Sequence, residues 1–181
     1  MNRIEKLNDI ALFGSCDGFT MVGRKSDRRK NFLKDDYTFV SKNWFDNICK
    51  FEDGVARVEI DKEWNFLKTD GTLLSEEWFD DVWGFCEGFA PVKKGNKYNF
   101  LKKEDGKLLS EEWFHKTRAF QNGITSVELK GKYNFLKADG SYLSETWFDD
   151  TKPFIKDFGL VQIGDEIKRI DKQGNLSDWG Y

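Results

Sequence analysis

The chain has 181 residues, enough for one compact domain or a short repeat array, and with only 39% hydrophobic residues its core must be economical. Its 17 Phe, 7 Trp and 5 Tyr supply much of that core, since each can remove about 150–250 Å² from water when buried. Lys+Arg 29 against Asp+Glu 32 leaves a net charge of -3, which excludes a global pull toward nucleic acid or an anionic membrane and makes any charge recognition local.

The first apolar run, Ile10-Ala11-Leu12-Phe13, is too short for a signal-peptide core or a membrane span, so the expected address is cytoplasmic with no membrane partner. Cys16, Cys49 and Cys86 are too few and too widely spaced for a disulfide framework or a zinc knuckle, and reduced thiols are expected.

One phrase then recurs along the chain: Asn31-Phe32-Leu33-Lys34, Asn65-Phe66-Leu67-Lys68, Asn99-Phe100-Leu101-Lys102 and Asn134-Phe135-Leu136-Lys137, at steps of 34, 34 and 35 residues. A Ser-x-x-Trp phrase follows each copy, from Ser41 to Trp44, Ser75 to Trp78, Ser110 to Trp113 and Ser144 to Trp147, with Ser177-Asp178-Trp179 a shortened fifth. A glycine preceded by Phe three residues earlier completes the pattern at Phe51 and Gly54, Phe85 and Gly88, and Phe120 and Gly123. Five units of about 34 residues are countable, over 10–44, 45–78, 79–113, 114–147 and 148–179 of a single 1–181 domain.

Within each unit, apolar residues alternate with period two and Gly/Asp/Asn clusters interrupt them, which predicts short strands and tight hairpins. The first unit has an extended hairpin at residues 23–30, the third a short turn at Gly95-Asn96, and Asp-Gly turns recur at Asp70-Gly71, Asp105-Gly106 and Asp139-Gly140. Ser75 and Ser110 are candidates to cap a single helical turn. The expected fold is all-β: five tandem β-hairpin or meander repeats stacked as a solenoid or superhelix, with a closed propeller-like ring as the alternative. Trp78 and Trp113 are expected in the core, where truncation to Ala would cost about 3–5 kcal/mol. Exposed terminal edges of an open stack would favour homo-oligomers.

The run Asp81-Val82-Trp83-Gly84-Phe85-Cys86-Glu87-Gly88-Phe89-Ala90-Pro91-Val92, with Tyr98-Asn99-Phe100-Leu101 after it, resembles the WG-repeat (KWG) family of bacterial β-rich repeats. The Trp-Gly pair of that family is replaced by Trp64-Asn65, Tyr98-Asn99 and Tyr133-Asn134, as in a divergent branch. The resemblance implies a binding or scaffolding module of bacteria or their phages and carries over no site residue.

Catalytic machinery is not expected. The one histidine, His115, stands where Asp46, Asp80 and Asp149 stand in other units and reads as drift at a surface turn. Neither a Ser–His or Cys–His pairing nor a phosphate-binding Gly-rich loop accompanies it. The acidic pairs Glu76-Glu77, Asp80-Asp81, Glu111-Glu112 and Asp149-Asp150 recur in successive units, which suits turn caps rather than one reaction or a metal site. No cofactor and no metal are expected.

Function is therefore sought in features that do not repeat. Arg24, Lys25, Arg28, Arg29 and Lys30 crowd the first hairpin and could hold an anion, a nucleotide or a nucleic-acid backbone. Met21, Arg57, Pro91, Ser126 and Leu160 occupy one strand position that differs in every unit and could form an outward-facing stripe for a partner. Trp83, Tyr133, Tyr142 and Tyr181 are candidate stacking platforms for a glycan. The leading expectation is a non-enzymatic binding module for a protein partner, an adaptor or inhibitor. A small-ligand or anion-binding protein using the basic hairpin is the alternative, and a glycan-binding module the third.

Overall fold

The computed structural model describes residues 8–179. Among them the regular elements are strands throughout, arranged in five antiparallel sheets of three or four strands, and the all-β repeat architecture is present. The chain divides into two compact units, residues 1–82 and 83–181.

In the first unit, β1 (Ile10–Cys16), β2 (Phe19–Arg24) and β3 (Lys30–Leu33) form one sheet. Next, β4 (Asn47–Glu52), β5 (Val55–Ile60) and β6 (Glu63–Lys68) form another, and β7 (Asp81–Val82) ends the unit. The second unit begins with the hairpin of β8 (Phe89–Lys94) and β9 (Lys97–Lys102). Then come the sheet of β10 (Lys116–Thr117), β11 (Ile124–Leu129) and β12 (Lys132–Lys137), and the four-stranded sheet of β13 (Asp150–Ile155), β14 (Phe158–Ile163), β15 (Glu166–Asp171) and β16 (Leu176–Asp178).

The Asn-Phe-Leu-Lys phrase lies on the third strand, where alternation sends Asn and Leu to one face and Phe to the other. Both faces are covered, and Asn65, Phe66 and Leu67 are all buried. In the first unit Phe32 clusters with Ile48, Phe51, Ala56, Val58 and Leu67 of the following sheet. In the second unit Phe100 clusters with Phe120, Val127 and Leu136, and Phe135 with Phe154, Val161 and Ile170. Each contact includes the same ring pair, Phe32 with Phe51 at 4.5 Å, Phe100 with Phe120 at 5.0 Å and Phe135 with Phe154 at 5.0 Å between centroids. Such pairs add about 0.5–1.5 kcal/mol to the burial itself.

The Ser-x-x-Trp segment forms no helical turn. It runs beside the third strand as a broken edge strand, touching it by single bridges at both ends, Leu67 to Leu73 and Trp64 to Phe79 in one sheet, Leu136 to Tyr142 and Tyr133 to Phe148 in another. The ladder is interrupted between those bridges, and the buried Asn fills the gap. Asn65 Nδ2 donates to the carbonyls of Ser75 and Glu77, both at 2.9 Å, and Asn134 Nδ2 to those of Ser144 at 2.8 Å and Thr146 at 3.3 Å. Asn31 and Asn99 do the same. The Ser hydroxyl accepts the N–H two residues on, 3.2 Å for Ser75 and 3.0 Å for Ser110, a turn rather than a cap. In the last sheet Lys168 stands at the Asn position, and β16 pairs with β15 directly through Lys168, Arg169 and Ile170. Arg169 replaces the Phe there, its guanidinium 4.9 Å from the Phe158 ring and 4.7 Å from the Trp179 ring.

The expectation that the repeating Trp is core is corrected. Trp78 and Trp113 are half-buried, and the Phe that follows each, Phe79 and Phe114, is fully enclosed. A glycine marks a second close approach. Gly140 has φ +83, and a Cβ there would lie 2.6 Å from the Leu109 carbonyl oxygen, so the turn admits no side chain.

Phe114→Ala is expected to cost about 3–5 kcal/mol in urea unfolding, Asn99→Ala about 2–3 kcal/mol for its orphaned carbonyls, and Trp113→Ala less than either. A Trp113→Ala cost equal to that of Phe114→Ala contradicts this order.

Candidate functional site

The basic hairpin is assembled, but its charges are turned inward. The five-residue turn between β2 and β3 is closed by the Arg24 N–H to the Arg29 carbonyl at 2.7 Å and the Arg28 N–H to the Arg24 carbonyl at 2.8 Å. Arg24 grips the Asp27 carboxylate through Nε and Nη2 and lies 4.7 Å over the Trp44 ring. Lys25 donates to the Asn8 carbonyl, and Lys30 to the Asp46 carbonyl and to Asn47 Oδ1. Arg29 Nε sits 3.2 Å from Asp46, an ion pair that recurs in the fourth sheet-forming unit as Lys132 with Asp149. Arg29 is thus partly a repeat residue, and Arg28 is the hairpin cation whose side chain makes neither an ion pair nor a hydrogen bond among the described residues.

The variable strand position does not form an outward stripe. Ser126 is buried, its hydroxyl 2.6 Å from that of Thr151. Met21, Arg57, Pro91 and Leu160 are half-buried, and Arg57 Nη1 reaches the Val82 carbonyl at 3.5 Å. Neighbouring segments crowd this position, as Thr151 does Ser126 and Val82 does Arg57, so it is not a free outward face. Of the four candidate platforms, Tyr133 takes a bond from Lys116, Tyr142 packs at 5.0 Å on Trp147, Trp83 is exposed, and Tyr181 lies outside the described residues.

What the structure does bring together is a groove in the second unit of about 510 Å³, lined by Trp83, Gly84, Pro91, Tyr98, His115, Lys116, Thr117, Arg118 and Ala119. That volume lies within the usual range of ligand sites. Trp83 is held by its N–H to the Pro91 carbonyl at 3.0 Å, and its ring stands 5.9 Å from that of Tyr98 at 47°. β10 ends after two residues, and the chain beyond it carries Arg118 and Ala119 to the groove.

The opposite wall is built by a change at the acidic pair. Asp46 accepts the Asp61 N–H at 2.8 Å and Asp149 the Gly164 N–H at 2.7 Å, so each caps the hairpin turn of its own sheet. In the fourth unit His115 takes that place, and its Nδ1 accepts the Lys130 N–H at 3.3 Å. Glu128 joins in, taking the Gly131 N–H at 2.9 Å through Oε1 and pairing with Lys116 at 3.0 Å through Oε2. Lys116 and the Gly131 N–H hold the Glu128 carboxyl below its ordinary range against the desolvation that opposes them. The Tyr133 hydroxyl and Glu128 raise the Lys116 ammonium above its own. Arg118 is exposed and makes no ion pair among the described residues.

Lys116, Thr117, Arg118 and Tyr98 were not candidates from the sequence. The available signal was His115-Lys116 standing where the other units have Asp46-Asn47, Asp80-Asp81 and Asp149-Asp150, an inversion of charge that one residue viewed alone conceals.

Sheet after sheet closed by a side-chain clamp defines an all-β repeat protein. Residues 78–98 match the family model described as the WG containing repeat. No curated protein matches the sequence. Solved structures that resemble the chain include Kluyveromyces lactis Hsv2, at 11% identity over 88% of this chain and 59% of that one, with a TM-score of 0.43. The Neurospora crassa Pan2 WD40 domain stands at 10% identity, 93% and 64% coverage and a TM-score of 0.34. Streptogramin B lyase stands at 10% identity, 92% and 66% coverage and a TM-score of 0.34. The chain spans 59% of the length of Hsv2, and likeness at this level carries nothing about function.

The inward pairing of the hairpin is open to titration. Arg24 first, helped by the Arg29 N–H, draws the Asp27 carboxyl down to about 2. Its folded value lies below the unfolded one, so its contribution to stability is present above about pH 4 and is lost as the pH falls through about 2. Carboxyl ¹³C NMR should place the Asp27 midpoint near 2, and Arg24→Gln should return it toward about 3.9. A midpoint unmoved by Arg24→Gln contradicts the pairing.

Proposed function

We propose that the protein is a non-enzymatic binding module that holds a protein partner, as an adaptor or inhibitor does, at the groove of the second unit. The observation that carries this reading is the gathering of Trp83, Tyr98 and Arg118 around one open groove. Interface energy concentrates in Trp, Tyr and Arg seated centrally among weaker contacts. Trp83 and Arg118 belong to the non-repeating part of the pattern, which the fold does not require: their common position is Cys49 in the second repeat and Lys152 in the fifth. The hairpin is the weaker site because Arg24, Lys25, Arg29 and Lys30 already have partners within the protein. The groove offers cations, donors and flat apolar walls, a set suited to holding rather than transforming a ligand, and His115 Nδ1 is engaged with the Lys130 N–H.

The finer architecture belongs to the same proposal: the sheets follow one another as a stacked array, a solenoid or a propeller-like ring. Recurrence of the Phe–Phe contact between successive sheets of a unit supports it.

The test is retention of a partner from native lysate by the tagged protein, by Trp83→Ala/Arg118→Gln, and by Lys25→Ser/Arg28→Ser, which leaves the hairpin's main ion pairs intact. The expected outcome is a protein retained by the parent and the hairpin variant and lost by the groove variant, with all three melting within a few degrees of one another. Retained nucleotide or nucleic acid that leaves with Lys25 and Arg28 contradicts the reading and moves the site to the hairpin.

A further inference from the structure

We propose that the groove of the second unit recognises an acidic aromatic segment of polypeptide, one carboxylate beside one flat side chain. The inference rests on the binding-module reading above and adds the chemistry of what is bound.

Charge sets the number of anionic groups. Lys116 is already matched by the buried Glu128 carboxylate at 3.0 Å and by the Tyr133 hydroxyl at 3.1 Å. His115 is engaged through Nδ1, which accepts the Lys130 N–H at 3.3 Å. Asp150, whose carboxyl Arg118 helps to hold down, is bound first by Lys152 at 2.6 Å. One exposed guanidinium, Arg118, is left over at the groove. A single carboxylate matches it, and Arg binds carboxylates by two parallel N–H donors. A phosphate dianion or a nucleic-acid backbone calls for several free cations, and the Glu128 carboxylate paired with Lys116 opposes the added charge.

Shape sets the neighbour of that carboxylate. Trp83 and Tyr98 stand 5.9 Å apart at 47° with Pro91 beside them, a wall that receives a ring by offset or edge contact. Arg118 and Trp83 line the same groove, so the ring and the carboxylate must be close together in the ligand. Thr117 and the exposed His115 border it and offer hydrogen bonds to a peptide backbone.

The test uses the full chain, ¹⁵N-labelled, titrated with acetyl-Trp-Glu-amide, with acetyl-Trp-Gln-amide and with inorganic phosphate. The expected result is shifts at the Trp83 indole N–H, the Arg118 Nε–H and the Thr117 amide. The Glu peptide should bind about tenfold more tightly than the Gln peptide, the worth of one charge-assisted hydrogen-bonded pair. Arg118→Gln should remove that preference while Trp83 still shifts. Equal binding of the two peptides, tighter binding of phosphate at Arg118, or no shift up to about 10 mM of any probe overturns the proposal. If the lysate partner nonetheless depends on Trp83 and Arg118, only the ligand class is wrong. If it does not, the binding-module reading fails with it.

Discussion

An asparagine side chain stands in for a backbone ladder, and the rest of each repeat depends on it. The edge strand after the third strand is broken, leaving two carbonyls without ladder donors, and an unpaired buried carbonyl costs about 1–3 kcal/mol. Asn65 supplies both donors from one amide and accepts the Phe66 N–H at 2.7 Å through its Oδ1, so every polar atom of a fully buried side chain is used. The same geometry at Asn31, Asn99 and Asn134 fixes the Ser-x-x-Trp segment in each sheet. That placement brings Phe45, Phe79, Phe114 and Phe148 into the core. Where Asn gives way to Lys168, the edge strand is continuous and no clamp is called for.

Clamped sheets still need one another. A single sheet of three short strands is marginal in water, and within each unit one sheet presents a Phe to the next, as Phe32 does to Phe51 and Phe135 to Phe154. Close stacking brings the Asp-Gly turn of one repeat against the carbonyl of the one before, Gly71 on Val40 and Gly140 on Leu109, where only glycine fits. Repetition of these contacts leaves few positions free to change. The freedom that remains lies at strand ends and hairpin turns, and it is there, at Trp83, His115, Lys116 and Arg118, that the groove is found.

The all-β repeat was legible because its period is carried by large residues at fixed spacing. The Asn of Asn-Phe-Leu-Lys was visible, but its task was not, since a polar residue inside a strand says nothing of a break in the strand beside it. Trp and Phe of Trp-Phe could not be ranked because both are aromatic; the structure puts Phe114 inside and Trp113 at the rim. Counting charges in the first hairpin singled out five cations, whereas their meaning lay in Asp27 and Asp46, which take up two of them. The groove escaped notice for a similar reason. His115 looks like drift alone and like a change of charge only when paired with Lys116, and the Glu128 that compensates it comes from another strand.

Native-state hydrogen exchange at the clamp tests the central claim most directly. The N–H groups of Phe100 and Phe135 donate to Asn99 and Asn134 Oδ1 rather than to a strand, at 2.7 and 2.8 Å. If the clamp holds the repeat together, these amides exchange with the slowest class of their sheets and open only with global unfolding. Fast exchange at both, with the neighbouring ladder amides still protected, would mean that the sheets stand without the asparagine.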